Sequence, residues 1–340
     1  MLSVVEKGGL YLPDCGLWMD PRRAKPFAVV SHAHADHTAR HQSYLATAPT
    51  IDCMRVRMGD AVAERGVALG YGEIYQHGAL RIQLFPAGHV LGSAMVRVEA
   101  PNGDSLLYTG DFKTRSGLAA ERIEIPQADT LIMESTFGRP EFVFPPAETL
   151  QQQIRGFCVD ALAAGKVPIL LAYSLGKAQR LLHLLDPAIG PILTHAAVEN
   201  TNAVLRAQGV PLPDTIRITP DLDRKAHPGA LIVAPPAVLD RPWARRFGAL
   251  STGYASGWMQ MRGVRRRRAA DRGFVISDHA DWPGLLGAIR ETGAENLFLT
   301  HGYTEIFTRH LREQGYNAHI LATEFGGEEA DDTPDTGETA

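Results

Sequence analysis

The sequence predicts an α/β protein in which one domain is interrupted by a second, and three patterns support this. First, short β-prone apolar runs are each followed at once by a polar residue, as in FAVVSH, LRIQLFPAGH, SLLYTGD and TLIMES. Such runs are typical of strands buried on both faces. Second, helical spacing alternates with strand-like runs between about residues 139 and 272, which indicates a parallel sheet. Third, the first pattern returns in GFVISDH and NLFLTH.

Length and composition favour an ordinary globular protein with more than one domain. The chain has 340 residues, which is longer than a single core usually supports. No apolar run approaches the length that spans a bilayer, and the N-terminus lacks the features of a signal peptide. The three cysteines are odd in number and far apart. We therefore expect no disulfide framework, a cytoplasmic location and no membrane partner.

The C-terminal segment 326–340 differs from the rest of the chain in its charge. It carries six acidic residues and no basic residue, so it is too polar to bury itself and we expect a disordered tail. The net charge of the whole chain is −4. Since the tail accounts for this excess, the remainder is near neutral, and any surface that binds a polyanion must be local.

A dense histidine cluster follows the run FAVVS, in the sequence HAHADH. Imidazole nitrogens and carboxylate oxygens are suitable donors for zinc-like ions. Because alternate residues of a tight loop can face the same ion, His32 and His34 are expected to share one cation. Asp36 and His37 are expected to turn toward a second cation. The sequence therefore predicts a centre for two divalent metal ions, with zinc favoured and manganese compatible.

Three further residues supply the donors that one loop lacks, and each follows a predicted strand. His89, in PAGHVLGS, is expected to complete the first cation site. Asp111, in YTGDF, is expected to bridge the two cations through its two oxygens. His301, in LTHGY, is expected to complete the second site. A single histidine after a strand is a weak signal, but the four elements in this order support one another.

In this order, HAHADH, GH, GD and a late HG resemble the metallo-β-lactamase superfamily, which implies an αββα sandwich. Glu134, His279 and His301 look like motifs A, B and C of its β-CASP group of nucleic-acid hydrolases, because they flank an insertion of suitable length. The resemblance implies a metallo-β-lactamase domain in two parts, 1–138 and 273–325. A β-CASP domain would then occupy 139–272.

From GLYLPDCGLWMDP through LREQGY, the chain also resembles the bacterial ligase-associated DNA exonucleases. This resemblance implies a DNA exonuclease that acts in DNA repair, with a functional link to an ATP-dependent DNA ligase. His301 favours an alternative, because a histidine at motif C is typical of the RNA-processing branches. An RNA-processing ribonuclease therefore remains open beside the DNA exonuclease.

The same resemblance implies roles for individual residues. Asp20, in LWMDP, would support the histidine loop from behind the metal ligands, and second-shell carboxylates do orient metal-bound imidazoles. Asp36, His279 and Glu134 would be catalytic. In this scheme a hydroxide bridged by the two cations attacks phosphorus. His279 protonates the departing oxygen, and Glu134 orients His279.

A basic run lies just before the predicted strand GFVISDH. Arginine offers paired donors to phosphate oxygens, so this run is the predicted nucleic-acid contact, together with one lysine near the start of the insertion. The residues are Arg262, Arg265, Arg266, Arg267, Arg268 and Lys177. A hydrolase of small esters or thioesters is a weaker alternative, because a small substrate does not require a second domain of this size.

Overall fold

The computed structural model describes residues 2–239, 242–268 and 270–321. These residues divide into two compact units, the first formed by 2–143 with 279–321 and the second by 144–278. The predicted inserted domain, 139–272, begins and ends a few residues earlier than the second unit, and its β-CASP type stays a prediction. The predicted acidic tail, 326–340, lies outside the described residues.

Within the described residues, the first segment of the first unit contains strands β1 to β11 and helices α1 and α2. Their bounds are Val5–Glu6 (β1), Leu10–Leu12 (β2), Leu17–Met19 (β3), Phe27–Val29 (β4), Ser43–Ala46 (β5), Ala48–Met58 (α1), Asp60–Ala63 (α2), Gly66–Ala68 (β6), Ile74–His77 (β7), Leu80–Pro86 (β8), Ala94–Glu99 (β9), Ser105–Tyr108 (β10) and Thr130–Ser135 (β11).

The second unit contains helices and strands in alternation, and the chain then returns to the first unit. The bounds in the second unit are Ala147–Ala163 (α3), Val167–Leu171 (β12), Lys177–Leu184 (α4), Ile192–Thr194 (β13), Ala196–Ala207 (α5), Ile216–Arg217 (β14), Leu231–Ala234 (β15), Pro242–Arg245 (α6), Leu250–Ala255 (β16), Arg262–Arg267 (α7) and Arg272–Phe274 (β17). The bounds in the returning segment are Trp282–Thr292 (α8), Asn296–Gly302 (β18), Thr304–Glu313 (α9) and Asn317–Ile320 (β19).

Two sheets face each other in the first unit. One has the strand order β1-β2-β3-β4-β5-β6, and the other has the order β19-β18-β11-β10-β9-β8-β7. A single apolar cluster joins them, with Leu12 and Met19 from the first sheet against Ile82 and Val96 from the second. Because successive side chains of a strand point to opposite faces of the sheet, Leu107 lies on the other face of the second sheet.

That opposite face of the second sheet is covered by two helices. Leu285 and Ile289 of α8 and Phe307 of α9 pack there in a second apolar cluster. Asp281 caps α8 by accepting a hydrogen bond from the amide of Gly284, a common way to begin a helix. Since α1 packs against β6 of the first sheet, the first unit has helix, sheet, sheet and helix layers.

The second unit is built on a six-stranded parallel sheet with the order β14-β13-β15-β12-β16-β17. The expected parallel α/β pattern is therefore present. The run GFVISDH was expected to form one strand, but β17 ends at Phe274, so the polar end of that run follows the strand. Among the described residues, no helix is both long and apolar enough to cross a membrane.

One edge of the second sheet in the first unit collects the polar residues of interest. Strands β10, β11 and β18 are parallel, and β8 runs in the same direction because it is separated from β10 by the antiparallel β9. The carboxyl ends of these four strands therefore meet at one edge. His89 and Asp111 follow β8 and β10, whereas Glu134 and His301 lie near the ends of β11 and β18.

Candidate metal centre

The histidine loop after β4 tightens into a short 3₁₀ turn at Ala35–His37. The amide of His37 donates to the carbonyl of His34 at 3.2 Å, and Arg57 of α1 donates to the carbonyl of Ala33. These bonds fix the loop so that some of its side chains point inward. His32 and His37 are 0% and 3% exposed, whereas the Asp36 side chain is 43% exposed.

Three imidazoles and one carboxylate converge in a first donor group. His34 Nδ1 lies 3.1 Å from His32 Nε2 and 3.0 Å from His89 Nε2. Asp111 Oδ2 lies 3.5 Å and 3.8 Å from the same two Nε2 atoms. Four donors placed tetrahedrally at zinc-ligand distances are about 3.3 Å apart. Because the observed separations bracket that value, the group fits one cation with little movement.

A second, more open donor group lies on the other side of Asp111. His37 Nε2 is 3.4 Å from Asp111 Oδ2 and 3.7 Å from Asp36 Oδ2. The His301 and His37 rings are 6.0 Å apart between centroids, and both line a cavity of about 20 Å³, room for one water or ion. His301 is absent from the tightest groups of ligand atoms among the described residues, so its coordination stays a prediction.

Burial and neighbouring charges hold His32, Asp111 and His301 in the protonation states that bind cations. Burial lowers the pKa of His32 well below its ordinary value, and the neighbouring His37 and His89 lower it further. Burial alone would raise the pKa of Asp111, but the positive charge of His37 and His279 brings it well below its ordinary value. Burial also lowers the pKa of His301 to about 4. The neutral imidazoles of His32 and His301 and the ionised Asp111 suit zinc or manganese. His37 differs, because burial alone would lower its pKa but Asp111, Asp36 and Asp20 raise that pKa well above its ordinary value. His37 would therefore lose a proton on binding a cation.

Asp20 supports the histidine loop with both of its carboxylate oxygens. Oδ1 accepts a hydrogen bond from the amide of Ser31 at 2.7 Å, and Oδ2 accepts one from the Ser31 hydroxyl at 2.6 Å. Oδ2 also lies 2.8 Å from His37 Nδ1 and accepts from the Tyr108 hydroxyl at 2.9 Å. Asp20 has a φ of 47°, a left-handed conformation that costs a non-glycine residue about 1–2 kcal/mol. The fold tolerates this strain where the carboxylate orients a candidate ligand.

Glu134 and His279 form a buried pair at the same edge of the sheet. His279 Nδ1 lies 2.9 Å and 3.0 Å from the two oxygens of Glu134. The carboxylate also accepts bonds from the amide of Phe112 at 2.9 Å and from the Thr136 hydroxyl at 2.5 Å. The His279 ring is 4.8 Å from the His89 ring between centroids. The carboxylate therefore holds the His279 ring through Nδ1.

No family model matches the chain. It is similar to a probable DNA ligase of Opitutus terrae, with 37% identity over 92% of this chain and 30% of the relative. It is also similar to an RNase J-like protein of Methanocaldococcus jannaschii, with 29% identity over 60% of this chain and 56% of the relative. A transcription termination factor FttA of Methanothermobacter thermautotrophicus is 29% identical over 47% of this chain and 30% of the relative.

These similarities support a β-CASP-related nuclease family. The chain spans only 30% to 56% of the length of these relatives. The donor groups of the described residues form a site suited to divalent cations.

The predicted nucleic-acid contacts lie in the second unit and differ in exposure. Arg262, Arg265, Arg266 and Arg267 of α7 are exposed. Lys177 was grouped with them from the sequence, but its side chain is only 2% exposed and its ammonium lies 4.8 Å from the Tyr173 ring. Lys177 therefore differs from the surface arginines, because it begins α4 with its side chain turned inward.

Several residues of the centre were missed by the sequence interpretation, and all of them support other side chains. Ser31 and Tyr108 bind Asp20, and Thr136 binds Glu134. The Ser93 hydroxyl accepts the amide of His89 at 3.1 Å. Each lies within a few residues of a predicted ligand or catalytic residue, so proximity to those motifs was the available signal.

Proposed function

We propose that this chain is a metal-dependent phosphodiesterase, a DNA exonuclease that acts in DNA repair and uses two divalent cations. The observation that carries the proposal is that His32, His37 and His89 all face Oδ2 of Asp111, at 3.5, 3.4 and 3.8 Å, with the Glu134–His279 pair at the same edge of the sheet. A phosphodiester is negatively charged, and its leaving oxygen needs a proton. Two cations would offset the negative charge, and the imidazole of His279 would supply the proton.

The layers of the first unit support a metallo-β-lactamase αββα sandwich, and the parallel sheet of the second unit supports a β-CASP domain. Both assignments belong to this proposal. In the first unit, the candidate ligands stand at the carboxyl ends of strands, where a rigid sheet places loop residues reproducibly. This placement agrees with the order of the metal-binding motifs in the sequence.

The residues have separate tasks in the proposed reaction. His32, His34, His89 and Asp111 would hold one cation, and Asp36, His37, Asp111 and His301 the other. When bound, the two cations lower the pKa of a shared water and offset the charge of the scissile phosphate. Glu134 accepts a hydrogen bond from Nδ1 of His279. This leaves Nε2 of protonated His279 to donate a proton to the departing sugar oxygen.

The choice of DNA rests on the relative named as a probable DNA ligase, of which a 30% portion matches nearly all of this chain. That portion supports a functional link between this activity and an ATP-dependent DNA ligase. We also propose a cytoplasmic location, since Cys15, Cys53 and Cys158 are all free thiols.

A second candidate is an RNA-processing ribonuclease. It is favoured by the similarity to the RNase J-like protein and by the histidine at position 301, whose ring is 6.0 Å from that of His37. The two candidates share the same centre and the same chemistry, so only the substrate distinguishes them.

The test is a cleavage assay on matched, end-labelled single-stranded DNA and RNA, with zinc or manganese added to chelated protein. The DNA exonuclease predicts metal-dependent release of nucleotides from DNA while RNA is spared. Preferential cleavage of RNA would replace it with the ribonuclease. Failure to cleave either polymer, with two metals bound, would reject both and favour a hydrolase of small esters or thioesters.

A further inference from the structure

A recess in the second unit brings two arginines together. It has a volume of about 340 Å³ and is lined by the stretch Ala270–Gly273 with Val275, by Arg265 of α7, and by Pro145 and Gln153. Pockets of this size accommodate a small ligand or one unit of a polymer. The recess lies against β17, the last strand of its sheet, so its wall includes the edge of that sheet.

Neither guanidinium in this recess is neutralised by a carboxylate of the described residues. Arg265 donates through Nε to the carbonyl of Met259, and Arg272 lies 6.0 Å from the centroid of the Phe274 ring. Asp271 also lines the recess, but its Oδ2 accepts from the amide and hydroxyl of Thr252 at 2.7 Å and 3.0 Å. With two guanidinium groups and one carboxylate along its lining, the recess keeps a net positive charge, which favours an anionic ligand.

We propose that this recess binds a backbone phosphate of the nucleic-acid strand, with Arg265 and Arg272 as its donors. The inference rests on the proposed function for the presence of a nucleic acid. Guanidinium groups bind phosphate oxygens through two parallel N–H donors, and the polar Gln153 amide at the wall suits the same ligand. The recess thus gives the arginine run a defined contact rather than a diffuse basic face.

Two double variants with the same loss of charge test this proposal. Arg265→Ala with Arg272→Ala removes both recess donors, whereas Arg262→Ala with Arg266→Ala removes two exposed arginines of α7 that do not line the recess. Binding of nuclease-resistant phosphorothioate single-stranded DNA by the full-length, metal-loaded protein is measured over a range of salt concentrations.

We expect the recess variant to lose at least about tenfold more affinity than the control. Its dependence on salt should also fall by about 0.7 in log–log slope, the value for one lost phosphate contact on a single strand. Equal losses in the two variants would overturn the recess as a site. Absence of binding by the unsubstituted protein would instead overturn the proposed function.

A different observation concerns Tyr108, the last residue of β10. Its side chain is 2% exposed, and its hydroxyl donates to Oδ2 of Asp20 at 2.9 Å. The same oxygen lies 2.8 Å from Nδ1 of His37. Because Nδ1 is held in this way, Nε2 of His37 is directed to Asp111 at 3.4 Å. The Tyr108 hydroxyl therefore acts on the candidate ligand His37 through the carboxylate of Asp20.

We infer that Tyr108 is a positioning residue that acts more strongly on the cation held by His37 than on the cation held by His32, His34 and His89. This rests on the proposed two-cation centre. Asp20 contacts His37 directly, whereas it reaches His32 only through the Ser31 hydroxyl, which lies 3.0 Å from Nδ1 of His32. Without the hydroxyl, Asp20 would keep its bonds to Ser31, but Oδ2 would lose the donor that fixes its approach to His37. Outer partners of metal-bound histidines typically contribute 10- to 100-fold in metal affinity.

The test is Tyr108→Phe, with Tyr44→Phe as the matched control. Tyr44 is also fully buried, and its hydroxyl has no hydrogen-bond partner among the described residues. Titration with cobalt, followed by its absorption spectrum, reports each site without relying on activity. We expect Tyr108→Phe to weaken one of the two binding steps by about 10-fold or more and to weaken the other step by much less.

Two results would overturn the role of Tyr108. One is a titration indistinguishable from that of Tyr44→Phe. The other is an equal weakening of both steps together with a lower melting temperature, which would indicate a general structural role. Failure of the unsubstituted protein to bind two cobalt ions would contradict the proposed centre itself.

Discussion

Replacing Asp111 with alanine is expected to abolish cleavage and to lower the metal content of the protein. Its Oδ2 lies between 3.4 Å and 3.8 Å from ring nitrogens of His32, His37 and His89, so both donor groups lose a ligand at once. Without the Asp111 carboxylate, the two cations would also repel each other more strongly. We expect turnover to fall by about 10³-fold or more, as measured by nucleotide release and by metal analysis.

A matched control is Asp60→Ala, which removes an exposed carboxylate of α2 that pairs with Arg55 at 3.0 Å. This variant should keep its metals and its activity, because exposed ion pairs contribute little to stability. Asp36→Ala should resemble Asp111→Ala, with a smaller loss of metal because Asp36 faces only the second group. Full activity in Asp111→Ala would exclude a centre bridged by this residue.

Replacing His279 with alanine should separate catalysis from metal binding. The ring is fixed by Glu134 at 2.9 Å and 3.0 Å, and its proposed task is to protonate the departing oxygen. General acid catalysis contributes about 10²- to 10⁴-fold. We therefore expect a loss of turnover in this range while two metals per chain remain, measured on the same DNA substrate.

The control for His279 is His319→Ala, which changes an exposed histidine of β19. A second variant, Glu134→Gln, should reproduce part of the His279 defect, because an amide can still face Nδ1 but does not stabilise a positively charged ring. Normal cleavage by His279→Ala would show that another group protonates the leaving oxygen. Loss of both metals would show that His279 is a structural part of the centre.

The candidate ligands could be predicted from the sequence because each stands directly after or within a short apolar run. FAVVSH and SLLYTGD correspond to β4 and β10, and the polar residue that follows such a run emerges at the edge of a sheet. His32 and Asp111 are therefore visible as local patterns. The strand directions that bring them to a common edge follow from pairing between distant segments, which no local pattern contains.

The supporting role of Asp20 was predicted from the resemblance, but its hydrogen bond to Tyr108 could not be predicted, for the same physical reason. Tyr108 and Asp20 are separated by 88 positions in the chain, and their contact depends on how the two sheets face each other. The burial of Lys177 could not be predicted either, because a lysine at the start of an amphipathic helix usually faces solvent, and its contact with nucleic acid stays a prediction. Here the lysine is buried beside Tyr173, an outcome decided by tertiary packing rather than by helical spacing.

The most direct test of the two-cation centre is a crystal structure of the protein grown with zinc or manganese, with the metals located by anomalous scattering. We predict two peaks about 3.5–4 Å apart. One should lie among His32, His34 and His89 and the other beside Asp36 and His37, with Asp111 touching both. A single peak, or peaks away from Asp111, would contradict the account.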